Sequence, residues 1–224
     1  MEPKTLDHVA FWVADRHPLV EFATKHLGMH VIDAQENFTL VGSNARRGKL
    51  TFFAAEGPRE RGALKHVALR VSDLEQARAV LPRGSGDEVE LGEGLRIRLV
   101  EAPTEVDYDL DHVALYTRDP ERAADEYTKL GFERVEPSAA GSPRVEVGGA
   151  HVEFHHGDPG EPEKPLLNHL AVLVDSADEH TAEAEDMGIV ESVVDAANTR
   201  AVFVWGPDKV RVEYVEHKPT FSLQ

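Results

Sequence analysis

Four histidines occupy the same place in a pattern that the chain repeats four times. The pattern reads Leu-x-His-(Val/Leu)-Ala and recurs at spacings of roughly 45 to 60 residues. Its histidines are His8, His66, His112 and His169. A neutral imidazole can ligate a divalent metal ion or transfer a proton near neutral pH. The repeat therefore brings candidate ligands into equivalent positions of one supersecondary unit.

Two glutamates lie in equivalent late strands of the third and fourth repeats. In the segment Lys209–Tyr214, strand alternation places Glu213 on the inner face, where a carboxylate is costly without a compensating cation. Glu153 holds the same position in the third repeat, whereas Arg98 and Phe53 are aligned with it in the second and first repeats. The second half of the chain therefore combines histidines with carboxylates, and the first half has histidines alone.

Each histidine begins a unit of one strand, one helix and further strands. Apolar residues at helical spacing predict helices over about 18–27, 74–81, 120–130 and 177–187. Asp119 followed by Pro120 is typical of a helix start, and Gly188 of a helix end. Four β-α-β-β-β modules, of which the second is the shortest, predict an α+β protein. Its modules should pair into two curved, mostly antiparallel sheets with the helices outside.

A polar segment, 101–109, separates the second repeat from the third. Proline and acidic residues in this segment are typical of a linker. We therefore predict an N-terminal domain at 1–103, made of modules one and two and without a metal. A C-terminal domain at 108–224, made of modules three and four, is predicted to bind the metal and to be catalytic.

Composition excludes several classes of partner. The chain of 224 residues has 41 acidic and 24 basic side chains and a net charge of −17, which disfavours nucleic acid and anionic membrane surfaces. It contains no cysteine, so disulfides and thiolate metal sites are excluded. No signal peptide and no apolar run of membrane-spanning length are recognisable, so we expect a cytoplasmic protein. Composition is compatible with a homo-oligomer.

With its four repeats, the chain resembles the vicinal oxygen chelate superfamily from about Leu6 to Val215. That superfamily includes glyoxalase I, bleomycin-resistance proteins and type I extradiol ring-cleaving dioxygenases. The resemblance to the dioxygenases implies that His112, His169 and Glu213 bind Fe(II) as a facial triad, with Mn(II), Ni(II), Co(II) and Zn(II) as alternatives. A small catechol-like substrate, or another vicinal oxygen chelator, would then bind beside dioxygen and undergo extradiol ring cleavage.

The same resemblance assigns further roles and leaves two alternatives open. His151 corresponds to an acid/base histidine of the dioxygenases, and His155 is an alternative that should line the substrate pocket. Phe203 would also line it, although the dioxygenases usually have tyrosine there. Glu153 as a fourth ligand would instead resemble glyoxalase-like or epimerase-like isomerases and lyases. A metal-free binding protein of the bleomycin-resistance kind is the other alternative.

Overall fold

The computed structural model describes residues 1–44, 47–82 and 85–224. Module one contains β1 (Thr5–Val13), α1 (His17–His26), β2 (His30–Ala34), β3 (Phe38–Gly42) and β4 (Lys49–Ala54). Module two contains β5 (Leu64–Val71), α2 (Leu74–Val80), β6 (Glu88–Gly92) and β7 (Leu95–Glu101). Module three contains β8 (Asp109–Thr117), α3 (Pro120–Thr128), β9 (Glu133–Val135), β10 (Arg144–Val147) and β11 (Ala150–His156). Module four contains β12 (Leu167–Leu173), α4 (Ala177–Met187), β13 (Val190–Asp195), β14 (Thr199–Trp205) and β15 (Arg211–His217).

The helices begin and end where their local chemistry indicates. Asp73 and Asp119 accept hydrogen bonds from the first turns of α2 and α3, and Pro120 occupies the first turn of α3. Gly188 ends α4 with a φ of 68°, a left-handed conformation that glycine adopts without steric cost. A short 3-10 helix, Pro207–Lys209, occupies the turn between β14 and β15.

The two sheets combine the modules in an order that sequence reasoning did not predict. The eight-stranded sheet has the order β13-β14-β15-β12-β1-β4-β3-β2, so it joins module four to module one. The seven-stranded sheet, β6-β7-β5-β8-β11-β10-β9, joins module two to module three. The α+β class and the mostly antiparallel pairing are confirmed. The expected grouping of consecutive modules is wrong for the sheets, each of which takes one module from 1–103 and one from 108–224.

In every module the first strand carries a β-bulge directly before its histidine. The register shifts leave one extra residue on the bulged strand, and the four extra residues are Asp7, Lys65, Asp111 and Asn168. A bulge of this kind redirects a side chain relative to the regular pleat. It allows the residue before the histidine to approach the imidazole of that same histidine.

The two faces of the eight-stranded sheet have different partners. Val9 and Phe11 of β1 belong to a continuous apolar core that also includes helical Leu19 and Ala23. This core contains residues from both sheets and from all four helices. The opposite face carries the histidine of each first strand, together with a separate small apolar cluster of Ala171, Ala201, Phe203 and Val215. Candidate ligands therefore lie on the face that the helices do not cover.

Candidate metal centre

Three side chains of the eight-stranded sheet converge on one point, and we call His8, His169 and Glu213 the His8 cluster. The two imidazole Nε2 atoms lie 3.0 Å apart. Glu213 Oε2 lies 3.0 Å from Nε2 of His169 and 3.3 Å from Nε2 of His8. The side chains come from the first strands of modules one and four and from the last strand of module four. The antiparallel pairing of β1 with β12 brings the two histidines together, and the parallel pairing of β12 with β15 adds Glu213.

The bulge residues determine which ring nitrogen of each histidine carries hydrogen. Nδ1 of His8 lies 2.8 Å from Asp7 Oδ1, and a carboxylate can only accept, so Nδ1 carries the hydrogen. Nδ1 of His169 lies 3.0 Å from Asn168 Oδ1. Arg211 Nη1 donates to that same atom over 2.9 Å, which identifies it as the amide oxygen. In both neutral rings the Nε2 atom therefore presents a lone pair to the cluster.

The His8 cluster has the chemistry and dimensions of a divalent metal site. In the neutral rings two imidazole lone pairs and a carboxylate oxygen face one another, an arrangement that either a metal ion or an added proton must compensate. Glu213 Oε2 is buried and has no hydrogen-bond partner of acceptable geometry among the described residues. Ligands at about 2.1 Å from one ion in octahedral geometry are about 3.0 Å apart along each edge, close to the three distances found here. Two imidazoles and one carboxylate on one face constitute a facial triad.

In the metal-free protein, protonation of His8 compensates the charge of the Glu213 carboxylate. Burial alone would lower the pKa of His8, but the hydrogen bond to Asp7 and the nearby charge of Glu213 raise it to about 9. Burial would raise the pKa of Glu213, but the two neighbouring imidazoles lower it to about 2. Burial lowers the pKa of His169, which stays neutral. At pH 7 in the metal-free cluster, His8 is therefore the protonated, positively charged imidazole, His169 is neutral and Glu213 is ionised.

Metal loading at pH 7 is expected to release about one proton per chain. His8 must lose its proton to become a ligand, so the apparent metal affinity should fall about tenfold per pH unit below the pKa of about 9. Titration calorimetry with one metal, in buffers of different ionisation enthalpy, measures the number of protons released. Proton release near zero at pH 7 would contradict the charge state assigned to His8.

The strand position of module one that is equivalent to Glu213 in module four is occupied by a residue that is not a strong metal ligand. In module four Ala171 pairs with Glu213, and in module one Ala10 pairs with Thr51. Thr51, and not Phe53 as the sequence alignment suggested, is therefore the counterpart of the glutamate. Its Oγ1 is buried and has no hydrogen-bond partner within the described part of the chain. The structure thus offers three strong ligands at this centre.

Aromatic rings surround His169. The ring of Phe203 lies 5.1 Å from the His169 ring, centroid to centroid, and Phe53 lies 6.1 Å from it. Trp12 stands beside Phe53 at 5.4 Å. A cavity of about 540 Å³ has Trp12, Asn168 and Arg211 in its lining, and Asn168 contacts Nδ1 of His169. Its volume suits a small organic ligand.

An ion-pair network supports the cluster on the side of His8. Asp7 is fully buried, and its second carboxylate oxygen accepts from Lys49 Nζ at 2.7 Å and lies 3.1 Å from His217 Nε2. Burial would raise the pKa of Asp7, but the Lys49 charge and the hydrogen bonds to His217 and His8 hold it well below its usual range. The ring of Phe221 stacks on His217 at 3.8 Å. Asp7 therefore stays ionised and orients the His8 imidazole.

The seven-stranded sheet carries a related set of side chains, His66, His112 and Glu153, which we call the His66 cluster. Nε2 of His66 lies 3.1 Å from Nε2 of His112, and Glu153 Oε2 lies 3.8 Å from the latter atom. His155 Nε2 is 3.4 Å from the same carboxylate oxygen. Burial and the neighbouring His112 lower the pKa of His66 to about 3. This set is wider than the His8 cluster, and its two histidines are hydrogen-bonded to each other.

The predicted site residues are therefore divided between two clusters. His169, Glu213 and the predicted pocket residue Phe203 meet in the eight-stranded sheet, with Phe203 directly opposite Glu213. His112 belongs to the other sheet and is not part of the His8 cluster, which corrects the predicted ligand set at one position. Glu153 lies with His112, so it is not a fourth ligand of His169 and Glu213.

The two histidines predicted for catalysis and substrate binding are also in the seven-stranded sheet. His151 pairs with His112 across β8 and β11, and its Nε2 lies 3.7 Å from Glu146. His155 contacts Lys65 and Ser142. Because these side chains surround the His66 cluster, the predicted acid/base role of His151 and pocket role of His155 do not apply to the His8 cluster.

Sequence reasoning left His8 out of the predicted ligand set. The reason was that its own module has no carboxylate in the last strand. The carboxylate comes instead from module four, across the pairing of β1 with β12. One signal in the sequence was available, namely the residue before each histidine. Asp7 precedes His8, and Asp111 and Asn168 precede His112 and His169. Each of these side chains can accept a hydrogen bond from Nδ1 of the histidine that follows it.

The fold and this centre define a class of protein: paired modules of one strand, one helix and further strands, three strands after the helix in modules one, three and four and two in module two, whose sheets carry histidine and glutamate side chains at equivalent strand positions. The sequence matches the Glyoxalase/Bleomycin resistance protein/Dioxygenase superfamily over residues 5–96 and 109–214. The chain belongs to this superfamily, whose name includes two kinds of enzyme.

Solved structures with the same fold include both kinds of enzyme. A putative dioxygenase from Bacillus subtilis superposes with a TM-score of 0.76 at 15% identity, covering 98% of this chain and 87% of the other. Glyoxalase I from Zea mays superposes with a TM-score of 0.73 at 17% identity, covering 95% and 92%. At these identities the likeness concerns the fold. None of the curated proteins compared with the sequence matches it.

The helices of the described residues are also too short or too polar to cross a membrane.

Proposed function

We propose that the chain is a metal-dependent enzyme that opens catechol-like rings next to the diol, with Fe(II) held by His8, His169 and Glu213. The observation that carries the proposal is the convergence of three strong ligand atoms of the described residues at 3.0 to 3.3 Å from one another. Fe(II) in such a triad keeps about three positions for a bidentate diol and for dioxygen. Bound there, it would supply Lewis acidity and hold both reactants together.

The remaining residues of the centre have roles that follow from their positions. Asp7 and Asn168 hold the two imidazoles by their Nδ1 hydrogens, so both rings present Nε2 without rearrangement. Phe203 and Phe53 provide apolar surfaces against which a planar ring can pack. Arg211 lies over the Phe203 ring at 4.5 Å and keeps the Asn168 amide in the orientation that His169 requires. These contacts favour an aromatic substrate.

Two alternatives receive less support from the arrangement. A glyoxalase-like isomerase with four protein ligands needs a second carboxylate, and Thr51 stands at the position that would supply it. Glu153, which suggested that alternative, belongs to the other sheet. A metal-free binding protein would have to keep His8 protonated to compensate the buried Glu213 carboxylate, and it would leave unexplained why three good ligand atoms lie at the spacing that one metal ion requires.

Oxygen uptake by anaerobically prepared, Fe(II)-loaded protein tests the proposal. The substrates would be a panel of substituted catechols, and Glu213→Gln is the matched control, because it keeps the side-chain shape and removes the charge. We expect uptake of one dioxygen per catechol, with the absorbance of a ring-opened product, in the parent protein alone. Absence of uptake with iron demonstrably bound would overturn the proposal, and Ni(II) or Zn(II) forms would then be assayed on hemithioacetals.

A further inference from the structure

The residue in the bulge before each histidine differs between the two clusters. Three modules have an acceptor there: Asp7, Asp111 and Asn168 each contact Nδ1 of the following histidine at 2.7 to 3.0 Å. Module two has Lys65, which has no acceptor to offer. Nδ1 of His66 is accordingly buried without a hydrogen-bond partner among the described residues, and its nearest carboxylate oxygen, on Glu88, is 3.9 Å away.

This difference changes which ring nitrogen of His66 carries the hydrogen. His112 donates its Nδ1 hydrogen to Asp111, so its Nε2 carries a lone pair directed at His66. The 3.1 Å contact between the two Nε2 atoms is then a hydrogen bond only if His66 Nε2 is the donor. His66 is free to adopt that tautomer because no group in the described part of the chain accepts from its Nδ1. Nε2 of His66 therefore carries a hydrogen where a metal ligand needs a lone pair. The lone pair of His112 Nε2 accepts that hydrogen, so it is not available to a metal either.

Lys65 also favours the tautomer of a second imidazole, His155, that carries its hydrogen on Nε2. Its Nζ contacts Nδ1 of His155 at 3.2 Å, and an ammonium can only donate. The neutral His155 ring therefore carries its hydrogen on Nε2, which faces Glu153 Oε2 at 3.4 Å. Hydrogens consequently point toward the positions where a metal would need lone pairs. With neutral rings the His66 cluster pairs its own hydrogens with its lone pairs, whereas the His8 cluster needs an added proton or a metal ion.

We propose that the bulge residue decides which of the two clusters binds a metal. The chain takes one divalent ion, at His8, His169 and Glu213, and Lys65 keeps His66, His112 and Glu153 metal-free. This inference rests on the metal site of the proposed function but does not depend on the reaction. Exchanging the bulge residue should convert the second cluster into a metal site, because the remaining side chains are already present.

Metal stoichiometry of folded variants tests the proposal without an activity assay. Lys65→Asp restores an acceptor for His66 Nδ1 and releases His155, and it should raise Co(II) or Zn(II) from one to two ions per chain by elemental analysis after gel filtration. Lys65→Met removes the charge but supplies no acceptor, and it should stay at one ion. Adding His112→Ala to Lys65→Asp should return the count to one, which assigns the second ion to the His66 cluster.

A spectroscopic measurement on the metal-free parent protein covers the case in which Lys65→Asp does not fold. Long-range ¹H–¹⁵N spectra report the tautomer of each imidazole, and His66 should carry its hydrogen on Nε2 and His112 on Nδ1. Any one of four results would overturn the proposal. They are a hydrogen on Nδ1 of His66, two ions in the parent protein, two ions in Lys65→Met, and one ion in folded Lys65→Asp. Zero ions in the parent would instead refute the metal site itself, and one ion without oxygen uptake would refute only the reaction.

Discussion

Replacing His8 with alanine is expected to lower the metal affinity by more than about 100-fold and to abolish turnover. His8 supplies one of three ligand atoms, and its loss leaves Glu213 Oε2 with a single imidazole neighbour at 3.0 Å. The matched variant is His112→Ala, which removes the equivalent histidine of the other sheet. It should retain one metal ion and turnover within about twofold, because His112 contacts His66 and not His169. Calorimetry and oxygen uptake measure the two effects.

This pair of variants also distinguishes the ligand set found in the structure from the set predicted by sequence. Loss of metal in His112→Ala together with retention in His8→Ala would support the predicted set. Thermal unfolding of both metal-free variants serves as the folding control, since each substitution removes a ring from a hydrogen-bonded pair of imidazoles. A similar unfolding temperature in the two variants would show that the difference in metal affinity is local.

Thr51→Glu is expected to reduce oxygen uptake by more than about 100-fold while leaving metal binding at least as strong as in the parent. The substitution places a carboxylate at the strand position that corresponds to Glu213, on the opposite side of the pairing between β1 and β12. A fourth protein ligand would occupy a coordination position that a bidentate diol and dioxygen both require. Metal affinity should not fall, because the added group is itself a good ligand.

Thr51→Val is the control for this substitution, because it preserves the shape of the side chain and removes only the hydroxyl. It should retain both metal binding and oxygen uptake, since Thr51 Oγ1 has no hydrogen-bond partner among the described residues. Unchanged uptake in Thr51→Glu, with the metal bound, would contradict a mechanism that needs three open positions. A gain of isomerase activity on hemithioacetals in Thr51→Glu would identify this residue as the determinant of reaction type.

Several features of this protein follow from sequence alone because they depend on neighbouring residues. The cap at Asp119 and the left-handed Gly188 are local, and the structure has them at the predicted positions. Strand alternation depends only on the pleat, so it correctly placed Glu213 on the same face as the histidines. The fourfold pattern likewise determined that the chain consists of four modules of one type.

The tertiary structure alone decided which modules share a sheet, and therefore which histidines meet which glutamate. All four first strands have the same Leu-x-His-(Val/Leu)-Ala pattern, so any two could pair equally well by local preference. The choice of β1 with β12 and of β5 with β8 is made by packing between whole modules far apart in the chain. This pairing moved His112 away from Glu213 and brought His8 to it, since a metal site made from several strands exists only after those strands have paired.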